Sequence, residues 1–284
     1  MKTKHQQNLL TAALAGTLTL TTPILAQEAA TNAVNTTEAS PSNLGANPET
    51  TAADPWRFDV ALIAWGPAVS GDVTVHGRKA DVDVGLDELL DDLKGIAMFG
   101  FELRKEKFGF YAQPNWIKLE QDAKVGPLNS TLEQKLWIVD AAGFYQLHKW
   151  GEETPVTLDA LAGVRYWHFN NEITVNGSGG VVDFNGSDSR YLIDPIVGLR
   201  AKIYFTPKFS LTLHGDVGGF DVSDHSSQLS WQALGTLGYD FTRHFSLAIG
   251  YRAMSVDTDS GSGSNANGLD IILHGFLLAL DFHW

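Results

Sequence analysis

The chain contains no cysteine among its 284 residues. This absence excludes disulfide bridges, thiolate metal ligands and a lipid-modified N-terminal cysteine. It also suits an oxidising compartment, in which a free thiol would be a hazard. From residue 55 onward the chain also lacks any run of about 18 uncharged apolar residues, so the sequence predicts no membrane-spanning helix there.

Basic residues are scarce, with 20 Lys and Arg against 33 Asp and Glu. Nucleic acid is a poor partner for a chain with a formal net charge of −13, because affinity for phosphates depends on clustered cations. The same imbalance argues against a basic patch that grips anionic lipid.

The N-terminus has the parts of a secretory signal peptide. Lys2 and Lys4 supply a positive region, an apolar stretch follows from 9 to 20, and Ala26 offers a small residue for cleavage. We expect residues 1–26 to be removed, which takes the formal charge from −13 to −15. Residues 27–54 are small and polar, and they predict a flexible periplasmic leader. Residues 55–284 then form one folded domain.

Segments of about ten residues with alternating apolar and polar side chains recur along this domain, which is the pattern of a transmembrane β-barrel. In such a barrel each strand satisfies its backbone groups from its neighbours. The fold class is therefore all-β, a closed antiparallel up-and-down barrel of about ten strands, with 8 to 12 compatible with the pattern. The predicted strands are 56–65, 96–105, 108–118, 135–148, 156–169, 190–205, 209–220, 228–241, 245–256 and 270–284.

The connections between these strands alternate in length. Long ones, including 66–95, 119–134 and 170–189, follow odd-numbered strands, whereas tight turns follow even-numbered ones. Outer-membrane barrels have short periplasmic turns and long external loops. The sequence therefore predicts a protein of the outer membrane of a Gram-negative bacterium, with both termini in the periplasm.

The distribution of charge separates this prediction from a soluble barrel. A soluble lipocalin-like barrel would place apolar residues inside and charges outside. Here each strand carries one or two charges on one face and almost none on the other, as in the eighth strand, where Leu229, Trp231 and Leu237 oppose Gln232 and Asp240.

Aromatic residues cluster near the ends of the predicted strands, which is typical of interfacial girdles. The last strand ends on Phe282 and Trp284, and an aromatic strand end resembles the signals that the barrel-assembly machinery reads. The clustered aromatic residues are Trp56, Phe58, Phe108, Phe110, Trp150, Tyr166, Trp167, Tyr239, Phe241, Phe282 and Trp284.

The polar face of the strands predicts an ion network in the lumen. Buried charges persist only when they are paired or hydrated, so the groups either pair across strands and close the interior or line a narrow wet channel. Ten strands lie near the size at which side chains fill the interior, which favours a plugged or very narrow lumen. The predicted network comprises Arg57, Asp59, Glu102, Arg104, Asp140, Asp159, Arg165, Asp194, Arg200, Lys202, His214, Asp216, Asp240, Arg252 and Asp281.

The first external loop has its own pattern. Residues 69–75 and 79–84 predict a hairpin, and Leu86, Leu89, Leu90 and Leu93 recur at helical spacing. We expect a short amphipathic helix that packs its leucines on the barrel rim, with a moving plug or a docking surface as the alternative. The neighbouring acids could hold Ca²⁺, but the spacing of an EF-hand is absent, so we expect no metal and no cofactor.

A search for catalytic groups leaves one weak candidate. Asp221, Asp224 and His225 lie near the predicted rim, where a carboxylate with a histidine could activate water. A full site would need a second carboxylate pair on the opposite wall. Ser226 and Ser227 lack the strained turn that a serine nucleophile requires. We therefore expect no catalytic site.

Six short stretches of the domain carry a resemblance to known proteins: 56–60 (WRFDV), 80–84 (ADVDV), 163–167 (GVRYW), 194–200 (DPIVGLR), 215–220 (GDVGGF) and 231–233 (WQA). With these stretches, residues 56–284 resemble a group of poorly characterised proteobacterial outer-membrane β-barrel proteins, broadly of the OmpA-like and opacity-like class. This resemblance implies the fold and the location but brings no established catalytic residues.

The sequence thus favours a barrel with a structural or surface-interaction role. A porin-like channel for small solutes is the alternative, and a rim hydrolase or lipid-modifying enzyme is the least favoured. The expected partners are outer-membrane lipid and lipopolysaccharide, the barrel-assembly machinery and a surface partner that contacts the external loops.

Overall fold

The structure is a computed structural model that describes residues 56–125, 128–152, 154–177 and 183–284. The predicted signal peptide and leader, residues 1–26 and 27–54, lie outside the described residues. Within the described part of the chain no helix is long and apolar enough to cross a membrane. The elements are β1 (Arg57–Trp65), β2 (Ala68–Val75), β3 (Arg78–Val84), α1 (Leu86–Asp92), β4 (Leu93–Lys105), β5 (Phe108–Val125), β6 (Leu128–Trp150), β7 (Val156–Gly177), β8 (Asp183–Tyr204), β9 (Phe209–Gly219), β10 (Leu229–Thr242), β11 (Phe245–Ser260), a 3₁₀ turn (Gly263–Asn265) and β12 (Asn267–His283).

Ten of these strands close into a barrel. The order around the barrel is β1, β4 and then β5 to β12 in sequence, and β12 pairs with β1 to complete the circle. Each of these pairs is antiparallel, and the closing pair runs from Asp59 opposite His283 to Trp65 opposite Leu277. The predicted closed up-and-down barrel of ten strands is confirmed.

The remaining two strands form the hairpin predicted in the first loop. β1 leaves β12 at Trp65, and β2 continues along the outer half of β12, from Ala68 opposite His274 to Thr74 opposite Gly268. β3 pairs with β2 and leads into α1, which contacts β2 and β5. The hairpin and helix therefore lie at the end of the barrel away from the tight turns.

The helix packs fewer leucines than the sequence predicted. Leu89 is buried, but Leu90 is 53% exposed and Leu86 is also exposed. Leu93 is not helical; it caps the helix in an extended conformation and begins β4. A helix of seven residues makes only two turns, so a stripe of four leucines does not fit on it.

Two of the predicted long loops are mostly strand. β5 reaches Val125 and β6 begins at Leu128, so nearly all of the predicted loop 119–134 is paired. Likewise β7 and β8 extend to Gly177 and from Asp183, within the predicted loop 170–189. The backbone ladder continues where the apolar face ends, because polar side chains pair across strands there, as Gln134 and Asn171 do at 3.3 Å.

The outward face of the barrel is apolar in a band around the wall. On β8 the outward positions between Tyr191 and Phe205 carry no charge, and Val197 and Leu199 are 50% and 52% exposed. This interval exceeds the 9–11 residues with which a tilted strand crosses a bilayer core. On β5 the first charged residue of the outward face is Lys118, which follows Trp116 at the outer end of the band.

Aromatic rings form a contiguous row at the tight-turn end of the barrel, across β9 to β12 and back to β1. Successive centroids lie 4.7 to 6.4 Å apart. One residue predicted for the girdles is misplaced: Trp167 points inward and is fully buried, because it stands one position from the outward Tyr166. The row comprises Phe209, Tyr239, Phe241, Phe245, Phe282, Trp284 and Phe58.

The attachment of the hairpin to β12 depends on Gly71. Its φ of 140° lies in a region that side chains rarely adopt, and a Cβ there would collide with the carbonyl oxygen of Asp270. We expect Gly71→Val to detach the hairpin at a cost of about 1–3 kcal/mol and to speed tryptic cleavage after Arg78 while the barrel stays resistant. Ser70→Ala is the control, and equal cleavage rates in both variants would contradict the role of Gly71.

Candidate functional site: the lumen

Four charged side chains and one glutamine, each from a different strand, form a closed ring of hydrogen bonds in the middle of the lumen. We call Asp140, Arg165, Asp216, Gln232 and Arg252 the central ring. Arg165 donates to Asp140 at 2.6 Å and to Asp216 at 2.9 Å, and Gln232 donates to Asp216 at 3.1 Å. Arg252 donates to Gln232 at 2.7 Å and to Asp140 at 2.8 Å, which closes the ring. Two carboxylates and two guanidinium groups give it no net charge.

His214 joins the central ring from the side. Its Nε2 lies 2.9 Å from Asp216, and the ring of Tyr111 meets the imidazole edge-on at 6.0 Å. Asp216 is already held by Arg165 and Gln232. The pair of His214 and Asp216 is thus built into the ion network, as the sequence suggested, and does not stand apart as a dyad.

A second cluster lies closer to the tight turns. We call Glu102, Arg104, Asp159 and Arg200 the lower cluster. Arg200 donates to Glu102 at 2.6 Å and to Asp159 at 3.0 Å, and Arg104 donates to Asp159 at 2.7 Å. Both guanidinium groups lie 4.5 Å from the centroid of the Phe144 ring, which holds them in place through cation–π contacts. This cluster is also neutral.

Asp194 connects the lumen to an external connection. It accepts hydrogen bonds from Trp167 Nε1 at 3.0 Å and from the backbone N–H of Ser227 at 2.7 Å. Ser227 belongs to the connection 220–228 between β9 and β10, which also places the carbonyl of His225 on the Ile193 N–H at 2.7 Å. The connection is therefore bound to the middle of β8, just beyond the point where β8 begins to pair with β9.

Inward-facing apolar side chains fill the lumen on the outer side of the central ring. We call this cluster the apolar plug. It was not predicted from the sequence, where the inward face was expected to be polar throughout. Alternation by itself does not show that inward positions become apolar one step beyond Asp140 and Arg165, at Ile138 and Trp167. The buried members of the plug are Trp65, Met98, Ile117, Ile138, Trp167, Leu192, Met254, Val256, Ile271, Leu273, Leu277 and Ala279.

On the opposite side of the central ring the lumen is open. A cavity of about 510 Å³ extends from the central ring to the tight-turn end. At its mouth His283 Nδ1 lies 2.6 Å from Asp59, and its Nε2 lies 2.6 Å from Ser246. His283 lines the cavity but was not among the residues predicted from the sequence, although the strand register places it directly opposite Asp59.

The predicted ion network is therefore not one connected set. Arg57, Lys202 and Asp281 line the cavity without an ion pair among the described residues, and Asp240 lies in the same part of the barrel, also without one. Arg57 is exposed, and the other three are only partly buried, so they keep contact with the open cavity and do not meet the full requirement for pairing that applies deeper in the lumen.

The rim residues considered for catalysis are not joined into a site. Asp221 and Asp224 are exposed, and the imidazole of His225 stacks on Tyr191 at 4.7 Å. Among the described residues no hydrogen bond joins that imidazole to a carboxylate, and no group of three or more His, Asp or Glu has the geometry of a metal site. The expectation that the protein lacks catalytic activity stays a prediction.

Comparison with known proteins returns outer-membrane barrels at low similarity. The outer-membrane protease OmpT of Escherichia coli is 12% identical with a TM-score of 0.47, covering 83% of this chain and 99% of its own. Ail, the attachment invasion locus protein of Yersinia pestis, is 10% identical with a TM-score of 0.32, covering 81% and 99%. Neisserial surface protein A is 10% identical with a TM-score of 0.28, covering 80% and 96%.

No protein-family model matches the chain, and no curated protein matches it in sequence. Similarities at these identities and TM-scores say nothing about activity. The fold itself defines the class, which is a closed antiparallel β-barrel of ten strands whose lumen holds an apolar cluster on one side and a cavity on the other.

Removing one member of the central ring should lower the stability of the protein strongly. Arg165→Met leaves Asp140 and Asp216 buried without their shared partner, so we expect it to lower the free energy of unfolding by about 3–5 kcal/mol. Lys135→Met is the matched control, because it removes the same charge from an exposed ion pair worth about 1 kcal/mol or less. The measurement is urea unfolding of the refolded protein, and equal losses in both variants would refute a structural role for the ring.

Proposed function

We propose that the protein is a non-conducting barrel of the Gram-negative outer membrane that acts through the surface it projects from the membrane. The observation that carries this proposal is the lumen, in which the apolar plug covers the neutral central ring. Kinship with the OmpA-like and opacity-like class is part of the same proposal, and it is supported by the sequence stretches given above.

The apolar outward band supports a location in a membrane. Half-exposed side chains such as Leu237, Ile249 and Phe276 would each be costly in water. Contiguous exposed apolar surface on this scale marks a membrane or a binding face, and here it encircles the barrel. The row of aromatic rings at one end and Trp116 with Trp137 at the other fit the two interfaces of a bilayer.

The plug supports the absence of conduction. Its buried members come from eight of the ten barrel strands, so it crosses the lumen from wall to wall. A wet channel would instead need a continuous lining of hydrated polar groups. The small-solute channel predicted as the alternative is therefore less well supported than the closed barrel.

The tall side of the barrel supports a role in surface interaction. β6, β7 and β8 have 23, 22 and 22 residues, whereas β1 and β9 have 9 and 11. From Trp116 to its end, β5 continues for about 30 Å along the strand at about 3.3 Å per residue. We propose that this extension, the tall wall, contacts lipopolysaccharide or a surface partner, and that the barrel-assembly machinery inserts the protein.

The outward face of the tall wall carries a row of alternating charges. Lys118 and Lys135 each lie 2.6 Å from Glu133, and Lys135 also lies 3.6 Å from Glu172. Hydrogen bonds from Lys118, then from Lys135, hold the pKa of Glu133 below its usual range. The row therefore stays ionised at neutral pH and offers both signs of charge just above the membrane band.

The position of the membrane can be tested with single cysteines, because the natural chain has none. We expect Leu237→Cys, on the apolar band, to be shielded from a membrane-impermeant maleimide in intact cells. Ser262→Cys, in the exposed connection between β11 and β12, should react and serves as the control. Equal labelling of the two positions, or recovery of the mature protein folded without detergent, would rule out the proposed location.

Closure of the lumen can be tested in planar bilayers. We expect the natural protein to give no single-channel steps, and the double variant Trp65→Gly with Trp167→Gly to give them, because two fully buried rings of the plug are removed. Trp116→Gly with Trp137→Gly removes the same volume from the outward face and should stay silent. Steps from the natural protein would favour the channel.

A further inference from the structure

We infer that the cavity at the tight-turn end is a binding site for a small organic anion bearing carboxylate or phosphate groups. The cavity opens at the end where β1 begins and β12 ends, and the apolar plug closes it on the other side. Its volume of about 510 Å³ falls within the range of sites for small ligands, about 300–1,000 Å³. This inference does not depend on where the protein resides.

The charges of the cavity lining do not cancel once internal pairs are set aside. The lower cluster is neutral, and Asp59 is held by His283. Three cations of the lining, Arg57, Lys149 and Lys202, have no carboxylate within 4.0 Å among the described residues. Asp281 is the lone carboxylate of the lining in the same state. Unpaired positive charge is thus in excess, and it faces a concave space.

Lys202 is the anchor that the proposal needs. It lies on the inward face of β8, partly buried, and its ammonium group lies 5.0 Å from the centroid of the Tyr204 ring. An ammonium group has three donors. One of them has the side chain of Tyr204 as a hydrogen-bond partner, and the carboxylates nearest along the wall, Glu102 and Asp240, do not reach the group within ion-pair distance. An incoming carboxylate or phosphate would supply acceptors for the donors that remain.

The inner end of the cavity favours a ligand rich in acceptors as well. Tyr111 and Trp65 line it, and the Tyr111 hydroxyl and the Trp65 indole N–H are buried without a hydrogen-bond partner. Arg252 lines it too, and its Nη1 also has no partner. Each of these groups is a donor, so a ligand that reaches the inner wall through small side-chain movements gains hydrogen bonds there.

The test is calorimetric titration of the refolded, detergent-solubilised protein with citrate as the anionic probe. We expect saturable binding by the natural protein and a loss of affinity of about tenfold or more in Lys202→Met, the effect of removing one charge-assisted hydrogen bond. Lys208→Met removes the same charge from the exposed turn between β8 and β9, outside the cavity lining, and should bind citrate within about twofold of the natural protein. Lys202→Arg keeps the charge and should retain binding.

A small organic cation, choline, tests which sign of charge the site prefers and should not bind. Absence of citrate binding by the natural protein, tighter binding of choline than of citrate, or equal loss in Lys202→Met and Lys208→Met would each overturn the proposal. Where Lys202→Met fails to refold, Arg57→Met at the mouth of the cavity replaces it, with an expected loss of affinity for citrate in the same direction. An Arg57→Met variant that binds citrate as the natural protein does would then count against the site.

Discussion

The ladder between β1 and β12 is the constraint on which the rest of the structure depends. Because these strands pair from Asp59 opposite His283 to Trp65 opposite Leu277, the sheet closes on itself along this ladder. Closure divides the side chains of every strand into an outward set and an enclosed set. Away from the open cavity the enclosed set of a ten-stranded barrel has little room for bulk water, so charges placed there must be paired by other side chains. The pairing of the central ring and the lower cluster is thus a consequence of closing the sheet.

The lumen meets this constraint with layers of different chemistry. The apolar plug needs no partners for its side chains, while the central ring beneath it satisfies each carboxylate with two or more donors, as Asp216 receives Arg165 and Gln232. A buried ion network contributes little net stability compared with apolar packing, but it fails at high cost when one member is removed. Such a network favours one arrangement of the strands over shifted registers, since a slip of one residue would turn Arg165 and Asp140 toward the outward face.

The sequence predicted the strands well because tight turns and alternating side chains mark both their ends and their faces. Residues that face each other on neighbouring strands follow from the strand register in the same way. Examples are Asp140 opposite Arg165 and Asp159 opposite Arg200. Contacts across the lumen could not be predicted, because Asp140 and Arg252 are 112 positions apart in the sequence and no periodic pattern indicates that they meet. The paired extensions of β5 to β8 were missed for a different reason. Beyond the apolar band these extensions are stabilised by backbone pairing and polar cross-strand contacts. Hydrophobic alternation does not reveal such contacts.

Two residues connect the closed half of the lumen with the open half. Arg252 belongs to the central ring and also lines the cavity, and its guanidinium lies 4.9 Å from the ring of Trp65. Trp65 in turn belongs to the apolar plug and ends β1, immediately before the chain leaves for the external hairpin. A ligand that draws Arg252 toward the cavity must weaken its bonds to Asp140 and Gln232 or its stacking on Trp65. The cavity is therefore connected to the plug and to the base of the hairpin through a chain of direct contacts.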